Sequence, residues 1–226
     1  MSESVLVSGG SGGIGSALAR QLAKAGYRPI VTFATNRPGA ESVARETGGV
    51  ALPMNLTEPT AIDGAVETLA ADTEALAGVV LAASPPPPVL PLFKIDDEEM
   101  ARQWTVNVDG PRRLLGGVVR RCMRERKRGW IVGVLSQAMG LEGSAAKHMG
   151  SYVIAKFGLL GLLKAVEAEH PWLRVITVSP GYTETDMLKC FDPRFLDQMR
   201  ARQRGGRFTT AEEVAADIMV RISEAS

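Results

Sequence analysis

Residues 8–15 read Ser8-Gly9-Gly10-Ser11-Gly12-Gly13-Ile14-Gly15, and this glycine-rich stretch decides the fold. It follows a short β-branched run, Ser4–Ser8, and opens a segment, Gly13–Ala25, whose apolar residues recur at helical spacing. Glycines at a strand-to-helix turn allow the tight turn, the approach of a pyrophosphate and close helix packing. The helix N-terminus adds free N–H groups and a positive dipole end. We therefore predict a dinucleotide site here, with a merely flexible turn as the alternative.

Strand and helix alternate along the rest of the chain. The predicted strands are Ser4–Ser8, Arg28–Phe33, Val50–Met54, Leu76–Ala83, Trp130–Leu135 and Leu173–Val178. The predicted helices are Gly13–Ala25, Pro38–Thr47, Glu58–Ala71, Asp96–Arg126 with a candidate kink at Pro111, Gly150–Glu169, Pro193–Arg204 and Thr209–Arg221. This order predicts an α/β fold: a Rossmann-like, doubly wound parallel sheet of six or seven strands with helices on both faces. We expect one NAD(P)-binding domain over residues 1–226.

Composition narrows the class of protein. The 226 residues are 45% hydrophobic and 23% charged, with a formal net charge of +1, so no strong field favours nucleic acid or an anionic membrane. The start, MSESVLVSGG, lacks a signal-peptide pattern, and no run reaches the ~18 apolar residues of a membrane helix. Cys122 and Cys190 form no CxxC pair, and His148 and His170 lack ligand spacing. We expect a cytoplasmic protein that binds no metal, nucleic acid or membrane.

The end of the second predicted strand indicates which dinucleotide is bound. It reads Phe33-Ala34-Thr35-Asn36-Arg37, with one arginine and no acid. An NAD site usually places a carboxylate there for the ribose hydroxyls, whereas a 2′-phosphate favours arginine. The sequence therefore predicts NADP(H), with Arg37 as an ordinary solvated charge being the alternative.

A tyrosine and a lysine open the helix that follows the fifth predicted strand. In Ser151-Tyr152-Val153-Ile154-Ala155-Lys156 the two side chains are four residues apart and share one helix face. A free phenol has a pKa of about 10, and we expect the lysine ammonium and an oxidised nicotinamide to lower that pKa. Tyr152 would then donate a proton to a carbonyl oxygen. A bare YxxxK pattern is common, so its position on this fold carries the prediction.

Two polar residues complete a candidate catalytic set. Ser136 ends the fifth predicted strand, where its hydroxyl can bind the substrate oxygen. Asn107 lies within an apolar helix, in Val106-Asn107-Val108, and a buried amide there needs partners. We expect it to hold a helix bend and a water leading to Lys156; a helix cap or a satisfied core amide is the alternative.

Together these residues resemble the short-chain dehydrogenase/reductase family over nearly the whole chain. The family's Asn-Ser-Tyr-Lys tetrad maps onto Asn107, Ser136, Tyr152 and Lys156, and its glycine loop carries Ser8 in place of threonine. Pro180-Gly181-Tyr182-Thr183-Glu184-Thr185 matches its PG segment and, with Gly206-Arg207-Phe208-Thr209, is similar to 3-oxoacyl-(acyl-carrier-protein) reductases. The cofactor contacts predicted from the loop, the strand ends and this resemblance are Ser8, Gly9, Ser11, Gly12, Gly13, Ile14, Gly15, Asn36, Arg37, Asn55, Leu56, Ala82, Ala83, Ser84, Tyr152, Lys156, Pro180, Gly181, Thr183 and Thr185.

The chain departs from the family pattern at several places. The family's NNAG is Ala82-Ala83-Ser84-Pro85 here, and the acid that touches adenine is Asn55, whose amide can accept from or donate to the base. The longer spacing from Ser136 to Tyr152 implies an enlarged loop and leaves Ser144 as a fallback for the catalytic serine. Relatives continue past residue 226 into a seventh strand and a subunit-contact tail, so a dimer through Asp96–Arg126 and Gly150–Glu169 stands beside the common tetramer.

The resemblance implies an NADPH-dependent reductase of a ketone, namely a 3-oxoacyl thioester on an acyl carrier protein or a polyketide-like substrate. A reductase of a small free carbonyl (a sugar, steroid or xenobiotic) and a non-catalytic NADP(H)-binding sensor are the alternatives. A basic run is expected either to dock the acidic carrier or to be a solvated helix end; it comprises Arg120, Arg121, Arg124, Arg126, Lys127 and Arg128. We expect a homodimer or homotetramer.

Overall fold

Six parallel strands form the central sheet in the computed structural model, which describes residues 3–72, 75–203 and 205–224. The strand order is β3-β2-β1-β4-β5-β6, so the chain reverses direction across the sheet between β1 and β4. Such a reversal opens a crevice at the carboxyl ends of the strands. The strand bounds are Ser4–Ser8 (β1), Arg28–Phe33 (β2), Val50–Pro53 (β3), Leu76–Leu81 (β4), Gly129–Val134 (β5) and Leu173–Val178 (β6).

Helices cover both faces of this sheet. Their bounds are Gly13–Lys24 (α1), Arg37–Thr47 (α2), Pro59–Ala71 (α3), Asp97–Trp104 (α4), Gly110–Val118 (α5), Gly150–Glu169 (α6), Pro193–Ala201 (α7) and Ala211–Ser223 (α8). The predicted fold class, a Rossmann-like doubly wound α/β fold, is confirmed with six strands in the main sheet of the described residues. The assignment of all of residues 1–226 to one domain stays a prediction. No helix within the described ranges is long and apolar enough to span a bilayer.

The side chains of the central strands alternate between two cores, as the period of a strand requires. Leu6, Val79 and Ile131 contribute to the core that lies under α3, α5 and α6. Val7 and Val132 point to the other face, under α1 and α8. Because β1 and β4 are buried on both faces, they read as continuous apolar runs, and both were recognisable in the sequence.

The long predicted helix Asp96–Arg126 is divided. Two wide π-type turns, Thr105–Asp109 and Val119–Met123, flank α5, and the first lies just before Pro111, the predicted kink position. Pro111 has no N–H to donate to the preceding turn, and a wide turn just before it accommodates that loss. The helical region ends at Met123 because Lys127 turns the chain into β5 with a φ of 44°.

A two-stranded pair missed by the sequence prediction joins the end of the PG segment to the last helix. Thr183–Glu184 (β7) pairs in parallel with Thr209–Thr210 (β8). Thr210 then caps α8, since its hydroxyl accepts from Glu213 N while the Glu213 carboxylate accepts from Thr210 N. The helix predicted as Pro193–Arg204 ends at Ala201, and residue 204 lies outside the described residues.

Candidate active site

A large cavity of about 1060 Å³ opens at the carboxyl ends of β1, β2, β4 and β5. Its walls bring together most of the predicted site residues, although these are scattered along the sequence. The predicted residues that line it are Gly9, Ser11, Gly12, Gly13, Ile14, Gly15, Asn55, Leu56, Ala82, Ala83, Ser84, Ser136, Tyr152, Lys156, Pro180, Gly181, Thr183 and Thr185. Ser8, Asn36, Arg37 and Asn107 lie outside this lining.

The glycine loop has the geometry that a pyrophosphate needs. Gly9 has a φ of +66°, and a Cβ there would stand 2.8 Å from Ala83 Cα, so only glycine fits between the loop and β4. Gly12 precedes the first turn of α1 without a capping side chain, which leaves the N-terminus of that helix open to the cavity. A Cβ at Gly13 would collide with the side chain of Thr185. The residues present therefore fit a dinucleotide laid across the loop.

Tyr152, Ser136 and Lys156 meet at the other end of the cavity. The first turn of α6 presents Tyr152, which is only 5% exposed, and the Ser136 hydroxyl, two residues past β5, is close enough to lower the pKa of its phenol. Lys156 Nζ donates to Val134 O at 2.9 Å and lies 5.6 Å from the centroid of the Tyr152 ring. Ser144 also lines the cavity, but Ser136 is the serine paired with the phenol. The arrangement can hold a carbonyl oxygen between a phenol and a hydroxyl.

Burial sets the protonation of this pair. Burial raises the pKa of the Tyr152 phenol, and the hydrogen bond from Ser136 opposes the rise. Burial of Lys156, which is 2% exposed, lowers the pKa of its ammonium to about 7. Among the protein's own groups desolvation is the largest effect on the phenol, and the expected lowering of its pKa, which also involves an oxidised nicotinamide, stays a prediction. Those groups alone keep the phenol protonated.

Asn107 is buried behind the cavity, in the wide turn Thr105–Asp109. Its Nδ2 donates to Gln103 O at 2.9 Å, while its Oδ1 accepts no hydrogen bond from the described residues. The predicted association of Asn107 with a helix irregularity is confirmed. The buried, unpaired Oδ1 is an acceptor of the kind that a bound water satisfies.

Three predicted cofactor residues lie outside the cavity lining and make local contacts. Ser8 is buried, and its Oγ accepts from Ala82 N and Ala83 N, at 3.2 and 3.3 Å, so it joins β1 to β4 rather than facing the cavity. Asn36 caps α2 by accepting from Gly39 N at 3.1 Å. The Arg37 guanidinium lies 5.3 Å from the centroid of the Phe33 ring and pairs with Glu41. Phe33 lines the cavity, which places Arg37 at its rim.

Asn55 lines the cavity, but its amide is occupied by the turn that follows β3. Its Oδ1 accepts from Thr57 N and Thr57 Oγ1, at 3.1 and 2.9 Å, and its Nδ2 donates to Glu58 at 2.7 Å. The expected role of Asn55 as an acceptor for the adenine is therefore wrong, since both acceptor positions are filled. One amide hydrogen is left to reach a base.

The substrate end of the cavity was largely missed by sequence reasoning. Apart from Met149, which directly precedes α6, its unpredicted residues come from the long segment after β6. In that segment the sequence indicated only the PG segment and one helix. Tyr182 stacks on Phe208 and meets Phe191 and Phe195 edge-on, which packs this segment against the body of the protein. The lining residues not predicted include Met149, Tyr182, Met187, Leu188, Phe191, Met199 and Gln203.

The basic run at residues 120–128 lies at the opposite edge of the sheet. It directly precedes β5, whereas the cavity lies beyond the end of β5, so a strand length of about 20 Å separates the two. Arg126 and Arg128 both pair with Glu3, at 3.1 and 3.7 Å, and Arg121 pairs with Glu67. A carrier protein docked there would face away from Tyr152, so the geometry argues against the docking interpretation of this run. The alternative, a solvated helix end, fits.

A family model described as short chain dehydrogenase matches residues 3–194. The chain belongs to the short-chain dehydrogenase family. It is 32% identical to the 3-oxoacyl-[acyl-carrier-protein] reductase of Escherichia coli strain K12 over 215 residues, covering 93% of this chain and 85% of that protein.

Solved structures show the same fold. A single-substitution variant of actinorhodin polyketide ketoreductase with NADPH superimposes with a TM-score of 0.86 at 26% identity, over 97% of this chain and 89% of that one. A Brucella melitensis structure described as ribose-5-phosphate isomerase gives a TM-score of 0.89 at 26% identity, over 100% of this chain and 88% of that one. The family and its ketoreductase members make this protein an oxidoreductase of CH–OH and C=O groups that uses a nicotinamide cofactor.

Proposed function

We propose that this protein reduces a ketone to a secondary alcohol with NADPH, and that the ketone is a 3-oxoacyl thioester on an acyl carrier protein or a polyketide-like substrate. One observation carries the proposal: Tyr152, Ser136 and Lys156 line the same cavity as the glycine loop. A dinucleotide whose pyrophosphate lies on the loop would extend its nicotinamide toward the phenol. Bound NADPH would supply the hydride.

The protein's own groups would manage the proton. Tyr152 would donate its phenolic proton to the carbonyl oxygen, and the Ser136 hydroxyl would hold that oxygen in place. The raised pKa of Tyr152 suits this direction, because a proton donor must be protonated before the reaction. Lys156 would bind the nicotinamide ribose and, when charged, favour the phenolate that forms. The Asn107 Oδ1 would hold a water that returns the proton through Lys156.

The preference for NADPH rests on the end of β2. Residues 34–37 at this rim carry Arg37 and no carboxylate, and Ala34 and Thr35 line the cavity. A 2′-phosphate at this rim would meet a guanidinium, and its approach would encounter no acid on that strand end. Glu41 already pairs with Arg37 at 3.4 Å, so the phosphate would compete with one exposed carboxylate. Such an exposed pair is weak.

The apolar lining beside Tyr152 supports the substrate class. Met149, Leu188, Phe191 and Met199 surround the space beyond the phenol, and they suit a hydrocarbon chain or ring better than a sugar. The Escherichia coli relative is named for 3-oxoacyl chains on a carrier protein, and the actinorhodin enzyme for a polyketide. A small free carbonyl remains the second candidate, with a steroid fitting the lining better than a sugar.

A ketone screen tests the proposal. A 3-oxoacyl thioester, its carrier-bound form and a panel of free ketones would each be offered with NADPH and with NADH, and loss of the reduced-nicotinamide absorbance would be followed. We expect thioester-dependent oxidation of NADPH. Faster reduction of free ketones would favour the second candidate. Tight NADPH binding without turnover of any ketone would favour the non-catalytic sensor and overturn the proposal.

We also propose self-association through α4 and α6. Trp104 on α4 and Ile154 and Phe157 on α6 are large apolar side chains that remain exposed in the single chain. A second copy covering these helices would bury them. Size determination in solution distinguishes a dimer or tetramer from a monomer. The cytoplasmic location stays a prediction.

A further inference from the structure

A run of four prolines, Pro85-Pro86-Pro87-Pro88, forms one wall of the cavity, and the first three line it. Proline has no backbone N–H, so this wall cannot donate to a neighbouring strand or loop. Any main-chain hydrogen bond that fixes its position must be donated to its carbonyl oxygens. The structure provides two such donors at Pro86 O, both on α4.

The stronger of these donors is Gln103. Its side chain is fully buried at 0% exposure, and its Nε2 donates to Pro86 O at 2.9 Å and to Glu99 at 3.0 Å. The exposed Arg102 also donates to Pro86 O, at 3.3 Å, and its Nε binds the other oxygen of Glu99 at 2.6 Å. Both amide hydrogens of Gln103 are thus used, as the burial of an amide requires.

The same glutamine also holds Asn107. Asn107 Nδ2 donates to the main-chain oxygen of Gln103 at 2.9 Å and lies 3.4 Å from its side-chain oxygen. Gln103 therefore stands between the proline wall and the residue proposed to hold the proton-path water. Helix α4 packs on α6, which carries Tyr152 and Lys156. The contacts of α4 therefore connect the proline wall, Asn107 and the helix that carries the catalytic pair.

We propose that Gln103 is a positioning residue that fixes the proline wall of the cofactor cavity relative to Asn107. It acts without touching cofactor or substrate, since it is not among the described residues that line the cavity. Loss of its amide would remove the closer donor to Pro86 O, which loosens the wall and weakens dinucleotide binding. It would also remove the 3.4 Å contact between the side-chain oxygen and Asn107 Nδ2, which slows proton return. The kinetic part of this inference rests on the proposed function, whereas the binding part does not.

The test is a comparison of Gln103→Met with a matched control, Gln21→Met. Gln21 donates from its Nε2 to Glu212 O, at 3.1 Å, between α1 and α8 and away from the cavity. By calorimetry with NADP⁺, we expect Gln103→Met to weaken binding by about fivefold and Gln21→Met to leave it unchanged, since Pro86 O loses the closer of its two donors only in the first. Equal affinities in the two variants would overturn the proposal.

A second variant keeps the inference testable if Gln103→Met does not fold. Gln103→Glu preserves the shape, and its carboxyl can donate to Pro86 O only when protonated. At each pH the affinity of Gln103→Glu for NADP⁺ would be divided by that of wild type. We expect this ratio to rise as the pH falls. A ratio independent of pH would contradict the proposed donor role.

Kinetics separate positioning from simple destabilisation. If Gln103 acts through Asn107, Gln103→Met lowers kcat/KM less in an Asn107→Ala background than in wild type. Equal losses in the two backgrounds would contradict the link to Asn107. If wild type turns over no ketone, the proposed function fails, but the calorimetric comparison still decides whether Gln103 positions the wall.

Discussion

The strands of the sheet end at one edge (the carboxyl edge) and begin at the other (the amino edge), and the two edges hold positive charge in different environments. At the carboxyl edge Lys156 is buried beside Tyr152, and desolvation lowers the pKa of its ammonium to about 7. At the amino edge Arg126 and Arg128 remain solvent-exposed and pair with Glu3. The lesson is that one cation withdrawn from water has perturbed chemistry, whereas several cations in water mainly neutralise nearby acids.

The largest effect should follow from removal of the buried cation. Lys156→Met keeps the length of the side chain but loses the ammonium that supports the phenolate and binds the ribose. We expect kcat/KM for ketone reduction to fall about a thousandfold, the scale of a lost acid–base contribution. Steady-state kinetics with NADPH and the best ketone of the screen would measure it. Near-normal activity would mean that the buried lysine is only a core residue.

The same substitution should remove a dependence of stability on pH. Between its folded pKa of about 7 and its unfolded value of about 10.4, Lys156 binds fewer protons folded than unfolded. The free energy of unfolding of wild type should therefore rise with pH across this window, by about 4 kcal/mol from this group. Denaturant unfolding of both proteins from pH 6 to 10 would show the rise in wild type relative to Lys156→Met. Parallel curves would rule out the depressed pKa.

An exposed arginine at the carboxyl edge should have a moderate effect. Arg37→Ala removes the guanidinium proposed to meet the 2′-phosphate, and we expect KM for NADPH to rise about tenfold while KM for NADH stays unchanged. Arg45→Ala, an exposed arginine on the same helix, is the matched control. An equal rise for both dinucleotides would show that Arg37 supports the fold rather than the phosphate.

The smallest effect is expected at the amino edge. A double substitution, Arg126→Ala with Arg128→Ala, removes both partners of Glu3 and should cost at most about 1 kcal/mol of stability. Because this surface faces away from the cavity, kcat/KM for a carrier-bound ketone should not change. A fall in kcat/KM with the carrier-bound ketone but not with the free thioester would support the docking role, against the geometry.

The sequence predicts features that depend on local spacing better than features that depend on distant contacts. The glycine loop, the Tyr152–Lys156 pair and the six strands depend on short-range spacing, and the sequence locates them all. The position of the basic run is also predictable from the sequence, because the run directly precedes a strand and must lie at the amino edge. The docking interpretation of this run used its charge alone.

Other features depend on contacts across the chain that no local pattern encodes. Gln103 reaches Pro86 over 17 residues, and nothing in its neighbourhood distinguishes it from a surface glutamine on an amphipathic helix. The hydroxyl of Ser8 is committed to β4 rather than to a cofactor because of the sheet order. The raised pKa of Tyr152 likewise depends on tertiary burial, which the spacing of Tyr152 and Lys156 does not reveal.

The most direct test of the whole account is the comparison of wild type with Tyr152→Phe for binding and turnover on the same preparations. Phenylalanine keeps the buried ring and removes only the proton donor, and Tyr27→Phe, beside Trp130 and away from the cavity, serves as the control. We predict that Tyr152→Phe binds NADPH with nearly normal affinity but reduces the preferred ketone at least about a hundredfold more slowly, while Tyr27→Phe behaves as wild type. Full ketone reduction by Tyr152→Phe would contradict the assignment of the phenol as the proton donor.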